Sequence, residues 1–211
     1  MSEPKEIASS AEEVAPGVWR WAVHDDRIDS ESDAHAVVDG GRVVLIDPFR
    51  LEEAALRRLG TVDAICLTAK CHQRSAWRYR REFGVKVYAP QGVRPMEEEP
   101  DIFYRVGDRL PGGLQVIHTP GPEEVHYAFW LAREPGVLFC PDLLMHSAGK
   151  ELEFVPGEFH DDPAETRRSV RHLLNWRFSV LCFNHGVPIT YNPHAALQNV
   201  LTRDAERSEI S

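Results

Sequence analysis

The sequence has no apolar run near the roughly 20 residues that span a bilayer. Nor does it have a basic N-terminal segment followed by an apolar one, so no anchor or secretory leader is expected and a cytoplasmic location is. Basic residues are in deficit: 24 Lys and Arg against 33 Asp and Glu give a formal charge of −9. That balance excludes general nucleic-acid binding, which needs a basic face to neutralise phosphates. An anionic ligand is left only to places where basic residues cluster. Cysteine is scarce, with four residues and no CxxC pair. Cys66, Cys140 and Cys182 sit in apolar strand-like runs and are expected as buried reduced thiols, whereas Cys71 stands among polar neighbours. No internal repeat or low-complexity linker divides the chain. A flexible acidic tail is therefore expected over 1–15 and a single domain over 16–211, long enough for a substantial α/β core.

What is present is a run of strand and helix patterns. VWRWAVH, AHAVVD and RVVLID read as strands, the last two joined by Gly40-Gly41, a hairpin signal. LEEAALRRLG has helical spacing with Gly60 as its stop, and DAICLT is a fully apolar strand. HQRSAWRYRREFG predicts a helix with Ala76, Tyr79 and Phe83 as its inner face, and KVYAP is the next strand. The second half repeats the theme with LQVIHT, HYAFWLA, VLFCP and SVLCFN as strands. Between them a helix opens at Asp162, with Pro163 in its first turn and Glu165 three residues after the cap. PHAALQNVLTRDAER closes the chain as a helix. This order builds sheets with helices outside them.

LTAKCHQR, residues 67–74, places Lys70, Cys71, His72 and Arg74 just beyond a buried strand, a common position for catalytic groups. Together with VVLIDP (43–48), VIHTPGP (116–122), VLFCPDLL (137–144) and FNHG (183–186) it resembles the metallo-β-lactamase superfamily, whose motifs occur in the same order. The resemblance runs from about residue 17 to 200. It implies an αββα sandwich of two mixed β-sheets with outer helices, and a hydrolase chemistry that rests on two metal ions, usually zinc.

Position by position, most of that apparatus is replaced. Ala69 and Cys71 stand where the family has its first two histidines, Gln73 and Arg74 where it has Asp-His, and Pro122 where TPGH ends in His. Asp142 and His185 agree with the ligand pattern, and Cys71 is a chemically suitable zinc ligand. A guanidinium at a ligand position puts a fixed positive charge where a dication would sit, and it can pair with Asp142 instead. Thr68, His72, Arg74 and Asp142 also match a divergent branch that carries TNxxHxR, with Ala69 replacing its Asn. Members of that branch are labelled metal-dependent hydrolases by fold analogy.

Two functions follow from the resemblance. One is a metal-free pseudoenzyme that binds a small anionic molecule through Lys70, His72 and Arg74 and uses no cofactor. The other is an active hydrolase of an ester or thioester with a single zinc or iron held by Asp142, His185 and one of Cys71, His72 or His126. The candidate catalytic residues are His72, Arg74 and Asp142, with Lys70, Cys71 and His126 as ligand-binding residues. Each also has a plainer structural role open to it: a helix-start polar residue for His72, a salt bridge for Asp142, a bond to a backbone carbonyl for His185. His118 and His126 are expected to be structural, and Asp47 to brace the loop. The row Arg74, Arg78 and Arg81 beside Trp77 suggests an anion-binding or partner surface, or simply a solvated helix face. A homo-oligomer is compatible with the sequence, and no nucleic-acid or membrane partner is expected.

Overall fold

The computed structural model describes residues 3–93 and 96–210, and the chain divides into two compact units, one up to Val116 and one from Ile117. In the first unit β1 (Glu12–Ala15), β2 (Val18–Asp25), β3 (Ser30–Asp39) and β4 (Arg42–Ile46) pair in sequence order. All three pairings are antiparallel. Gly40 and Gly41, both at positive φ, make the tight turn between β3 and β4. The helix α1 (Glu53–Leu59) then leads to β5 (Thr61–Cys66), and α2 (Ala76–Phe83) leads to β6 (Lys86–Pro90), with β7 (Ile102–Tyr104) beyond. From β4 to β7 the pairings are parallel, and α1 and α2 supply the crossovers that the β4–β5 and β5–β6 pairs need. The result is a mixed seven-stranded sheet.

A second mixed sheet has the order β13-β10-β9-β8, from β8 (Leu114–His118), β9 (Tyr127–Leu131), β10 (Val137–Cys140) and β13 (Val180–Phe183). A small ribbon pairs β11 (Leu144–Met145) with β12 (Glu153–Phe154). In α3 (Pro163–Leu173) the Asp162 carboxylate accepts from the Glu165 N–H at 2.9 Å, the capping geometry its sequence predicts. Val170 and Leu173 of α3 and Leu197 and Val200 of α4 (Pro193–Ile210) share one core cluster with Leu138, Leu181 and Phe183.

Four details differ from the sequence reading. Residues 12–15, expected in the loose tail, form β1, and Ala8 is tied to the chain near Leu51 through Ala8 N to Arg50 O at 3.0 Å and Glu52 N to Ala8 O at 2.8 Å. Lys70–Gln73 forms a 3-10 turn instead of opening the helix; Arg74 follows at φ 41°, and α2 starts only at Ala76. Starting the helix later rotates its inner face, so Trp77 is buried with Ala76 and Tyr79, while Phe83 lies outside and stacks on Tyr79 at 5.7 Å. The row of arginines is broken as well. Arg74 is buried, Arg78 pairs with Glu3, and Arg81 pairs with Glu98. A helix face neutralised in this way is not the anion-binding row that the spacing suggested.

Candidate functional site

In the first unit the site grows from two adjacent parallel strand ends. Ile46 of β4 is in register with Cys66 of β5, so the residues that follow them, Asp47 and Thr68, meet. Asp47 is buried and adopts φ 46°. Its Oδ1 accepts from Thr68 N at 2.8 Å and its Oδ2 from Thr68 Oγ1 at 2.5 Å. His72 is also buried, not exposed at a helix start, and its Nδ1 lies 2.8 Å from Thr68 Oγ1 and 3.2 Å from Asp47 Oδ2. Because the Thr68 hydroxyl spends its proton on Asp47, it accepts from His72. Its Nδ1–H is thus the donor in this contact. Burial pushes the Asp47 carboxyl up, but His72, Arg74 and the Thr68 hydroxyl outweigh it and hold the group below the usual carboxylate range. Asp47 is thus the brace the sequence suggested.

The next residues of the loop are tied down. Gln73 is buried, and its Oε1 accepts from Trp77 Nε1 at 3.0 Å and from Glu97 N at 2.8 Å, while its Nε2 donates to Lys70 O at 3.0 Å. Arg74 turns its guanidinium inward. One terminal nitrogen donates to Asp33 O at 2.7 Å and Asp47 O at 2.9 Å, and the group lies 4.0 Å over the Phe49 ring. The carbonyl and aromatic partners seen here leave no trace in sequence, because they depend on how the strands bring the backbone round. Lys70 and Cys71, by contrast, are partly exposed at the start of the turn.

Arg74 caps a polar cluster that sequence reasoning missed. Arg20 Nε lies 2.6 Å from Asp33 Oδ1, and His35, opposite Arg20 on the paired strands, is fully buried. Burial, reinforced by the Arg20 and Arg74 charges, pushes the His35 imidazole down to about 3. Alternating polar residues in β2 and β3 are the only trace of this cluster in the sequence.

In the second unit β10 and β13 are parallel with Cys140 opposite Phe183, so Asp142 and His185, each two residues further on, emerge from neighbouring strand ends. His185 Nε2 is 3.3 Å from Asp142 Oδ1, so its partner is this carboxylate. Asp142 adopts φ 21°, and its carbonyl is 3.0 Å from His160 Nε2. His160 in turn meets Thr166 Oγ1 through Nδ1 at 3.0 Å, and burial lowers its basicity. This histidine was not singled out by sequence; its place two residues before the Asp162 cap is the only clue. Gly186 follows at φ 115°, where a Cβ would stand 2.0 Å from His146 O, so the glycine of FNHG is needed for the backbones to approach.

His126 is buried and holds the loop it closes: its Nδ1 is 2.8 Å from Thr119 O and 3.0 Å from Thr119 Oγ1, while Thr119 N donates to His126 O at 2.9 Å. His118 lies outside, with Nε2 2.8 Å from Glu124 O. Pro122, at the position of the TPGH histidine, has no side-chain donor.

The donor set does not fit a two-metal centre. Ala69 and Pro122 supply nothing, Gln73 is engaged by Trp77 and Glu97, and Arg74 is a permanent cation. Cys71, His72, Asp142 and His185 remain chemically able to ligate a metal.

No family model and no curated protein matches the sequence. Solved structures do. The chain is similar to the metallo-β-lactamase VMB-1, with 14% identity over 95% of this chain and 99% of that one, at a TM-score of 0.74. It is similar to a metallo-β-lactamase from Erythrobacter litoralis, with 14% identity over 93% and 92% and a TM-score of 0.70. It is similar also to a metallo-β-lactamase family protein from Thermus thermophilus, with 18% identity over 94% and 82% and a TM-score of 0.68. At such identities the likeness is one of fold, and it is the fold that the five motifs implied.

Proposed function

We propose that this chain, which has the metallo-β-lactamase fold, works without the two-metal centre and binds a small anionic molecule. The observation that carries this reading is the use of Gln73 and Arg74, at the Asp-His ligand positions, as internal ties of the loop. A site selected to hold two dications would not spend these positions on an indole, a backbone amide and two carbonyls. Lys70, partly exposed where the turn begins, supplies the cation for an anionic ligand, with His72 two residues on. Arg74, committed inward, sets the local potential without reaching the ligand.

Elemental analysis of the purified protein tests the first half: less than about one tenth of a metal ion per chain is expected, and about one zinc or iron per chain overturns it. A thermal-shift series with inorganic phosphate and small carboxylates tests the second half. A rise in Tm that Lys70→Ala abolishes is expected, and no shift with any of these anions overturns it.

A second reading, hydrolysis of an ester or thioester with one zinc or iron, draws on the Asp142 and His185 donors, which emerge together at 3.3 Å. Zinc added to chelator-treated protein would then raise Tm, and His185→Ala would remove the rise. No response to zinc, iron or manganese counts against this reading.

A further inference from the structure

We infer that the second unit holds a ligand site of its own, at the end of its sheet away from Asp142 and His185, for a small carboxylate that carries a flat ring. β10 and β13 run parallel in register, Val137 opposite Val180 and Cys140 opposite Phe183. Asp142 and His185 follow the last residues of the two strands. A cavity of about 470 Å³ lies before the first ones, and Trp130, Glu134, Arg177, Phe178, Ser179 and His194 line it. Its volume is that of a small-molecule site.

The walls are fixed by the fold. Gly136 turns at φ 76°, and a Cβ there would stand 2.8 Å from Arg177 O, so the segments that lead into β10 and β13 are pressed together. Ser179 N donates to Gly136 O at 2.9 Å, and the Trp130 indole N–H donates to Arg177 O at 2.8 Å. Phe178 is buried and stacks on His194 of α4 at 4.3 Å, while Trp130 packs on Trp176 at 5.0 Å. The lining thus offers aromatic surface for a ring.

Its polar groups are unspent. Among the described residues, the Arg177 guanidinium, the Ser179 hydroxyl and the His194 ring make no hydrogen bond or ion pair, and Glu134 does not pair with Arg177. A guanidinium fork with a hydroxyl and an imidazole beside it suits a carboxylate. Glu134 narrows the choice, because its repulsion grows with the charge of the ligand and so favours a monocarboxylate over a doubly charged phosphate ester.

The fold uses Arg177 through its backbone carbonyl, so Arg177→Ala keeps the walls in place. In ligand-observed NMR titrations of the full chain, 3-phenylpropionate should bind with a Kd of about 1 mM or tighter. Arg177→Ala should weaken it roughly fivefold or more, and so should exchange of the probe for the uncharged 3-phenylpropanol. Phenyl phosphate should bind more weakly than 3-phenylpropionate, and Lys70→Ala should leave the affinity unchanged. No binding of 3-phenylpropionate, equal affinity in Arg177→Ala, or equal affinity for the alcohol overturns the inference, and tighter binding of phenyl phosphate overturns the choice of a monocarboxylate. Binding lost in Lys70→Ala but kept in Arg177→Ala would place the anion at the loop of the first unit, overturning this site while supporting the function proposed above.

Discussion

His35 is the residue whose surroundings have the clearest consequence for stability. Its folded pKa of about 3 lies well below the value of about 6.5 for an unfolded histidine. Between those two values only the unfolded chain takes up the proton. The stability His35 contributes is therefore complete above about pH 6.5 and falls as pH drops toward 3, by up to about 1.4 kcal/mol per pH unit. Urea midpoints measured from pH 7 to pH 4 should show this slope, and His35→Gln should flatten it. An identical slope in the variant would show that other groups cause it. Asp47 is the second such residue. Asp47→Asn keeps the shape but removes the charge that faces His72 and Arg74, and a loss of about 2–4 kcal/mol is expected in chemical denaturation. Because the Asp47 carboxyl is held low, its contribution is present above the ordinary carboxylate range and disappears as pH falls through the lowered value.

At the scale of elements, the segment from Ala69 to Ser75 shows where sequence reading succeeds and where it stops. The apolar run of β5, the cap of α3 and the glycine pair after β3 are local signals, and each stands where its pattern placed it. The loop is set by non-local partners. A helical pattern starting at His72 was reasonable, yet Arg74 at φ 41° and its bonds to Asp33 and Asp47 carbonyls, which come from β3 and the end of β4, break it. No periodicity records such bonds. Strands as short as β7, β11 and β12 escape for a different reason: two or three residues cannot show an alternation. Arg74→Ala should cost about 2–4 kcal/mol, since it leaves two carbonyls without this donor and removes the stack on Phe49. Arg74→Lys should recover little, because an ammonium lacks the planar fork. A change below about 1 kcal/mol in the urea midpoint would show that the loop does not depend on this side chain.

At the scale of the whole molecule, five short motifs in register were enough to anticipate a fold shared with solved structures at 14–18% identity. Spacing is legible because strand ends must sit in fixed places for the sheets to form, whereas the fold makes no demand on the donor chemistry at those ends. Among the described residues no helix is long and apolar enough to cross a membrane. The N-terminal residues were the part of the chain most misjudged from composition: acidic residues with few large apolar ones look like a tail, but four of them form the strand that pairs with β2. Removing residues 1–15 should therefore do more than shorten the protein. Light scattering and size-exclusion profiles should reveal association of the shortened form at concentrations where the full chain stays dispersed, and equal behaviour of the two forms would contradict this.

The reason lies in what β1 covers. With it in place, the outermost strand of the seven-stranded sheet is four residues long and bears two exposed glutamates, and the Glu12 carboxylate also meets Arg20 at 2.5 Å. Strip it away and the border becomes β2, eight residues carrying Val18, Trp19, Trp21 and Val23 with a row of unsatisfied backbone groups. Such a border is a template for pairing with another chain. Its brevity and its two exposed glutamates make the last strand a poor template for another chain, and that is why removing it should promote association.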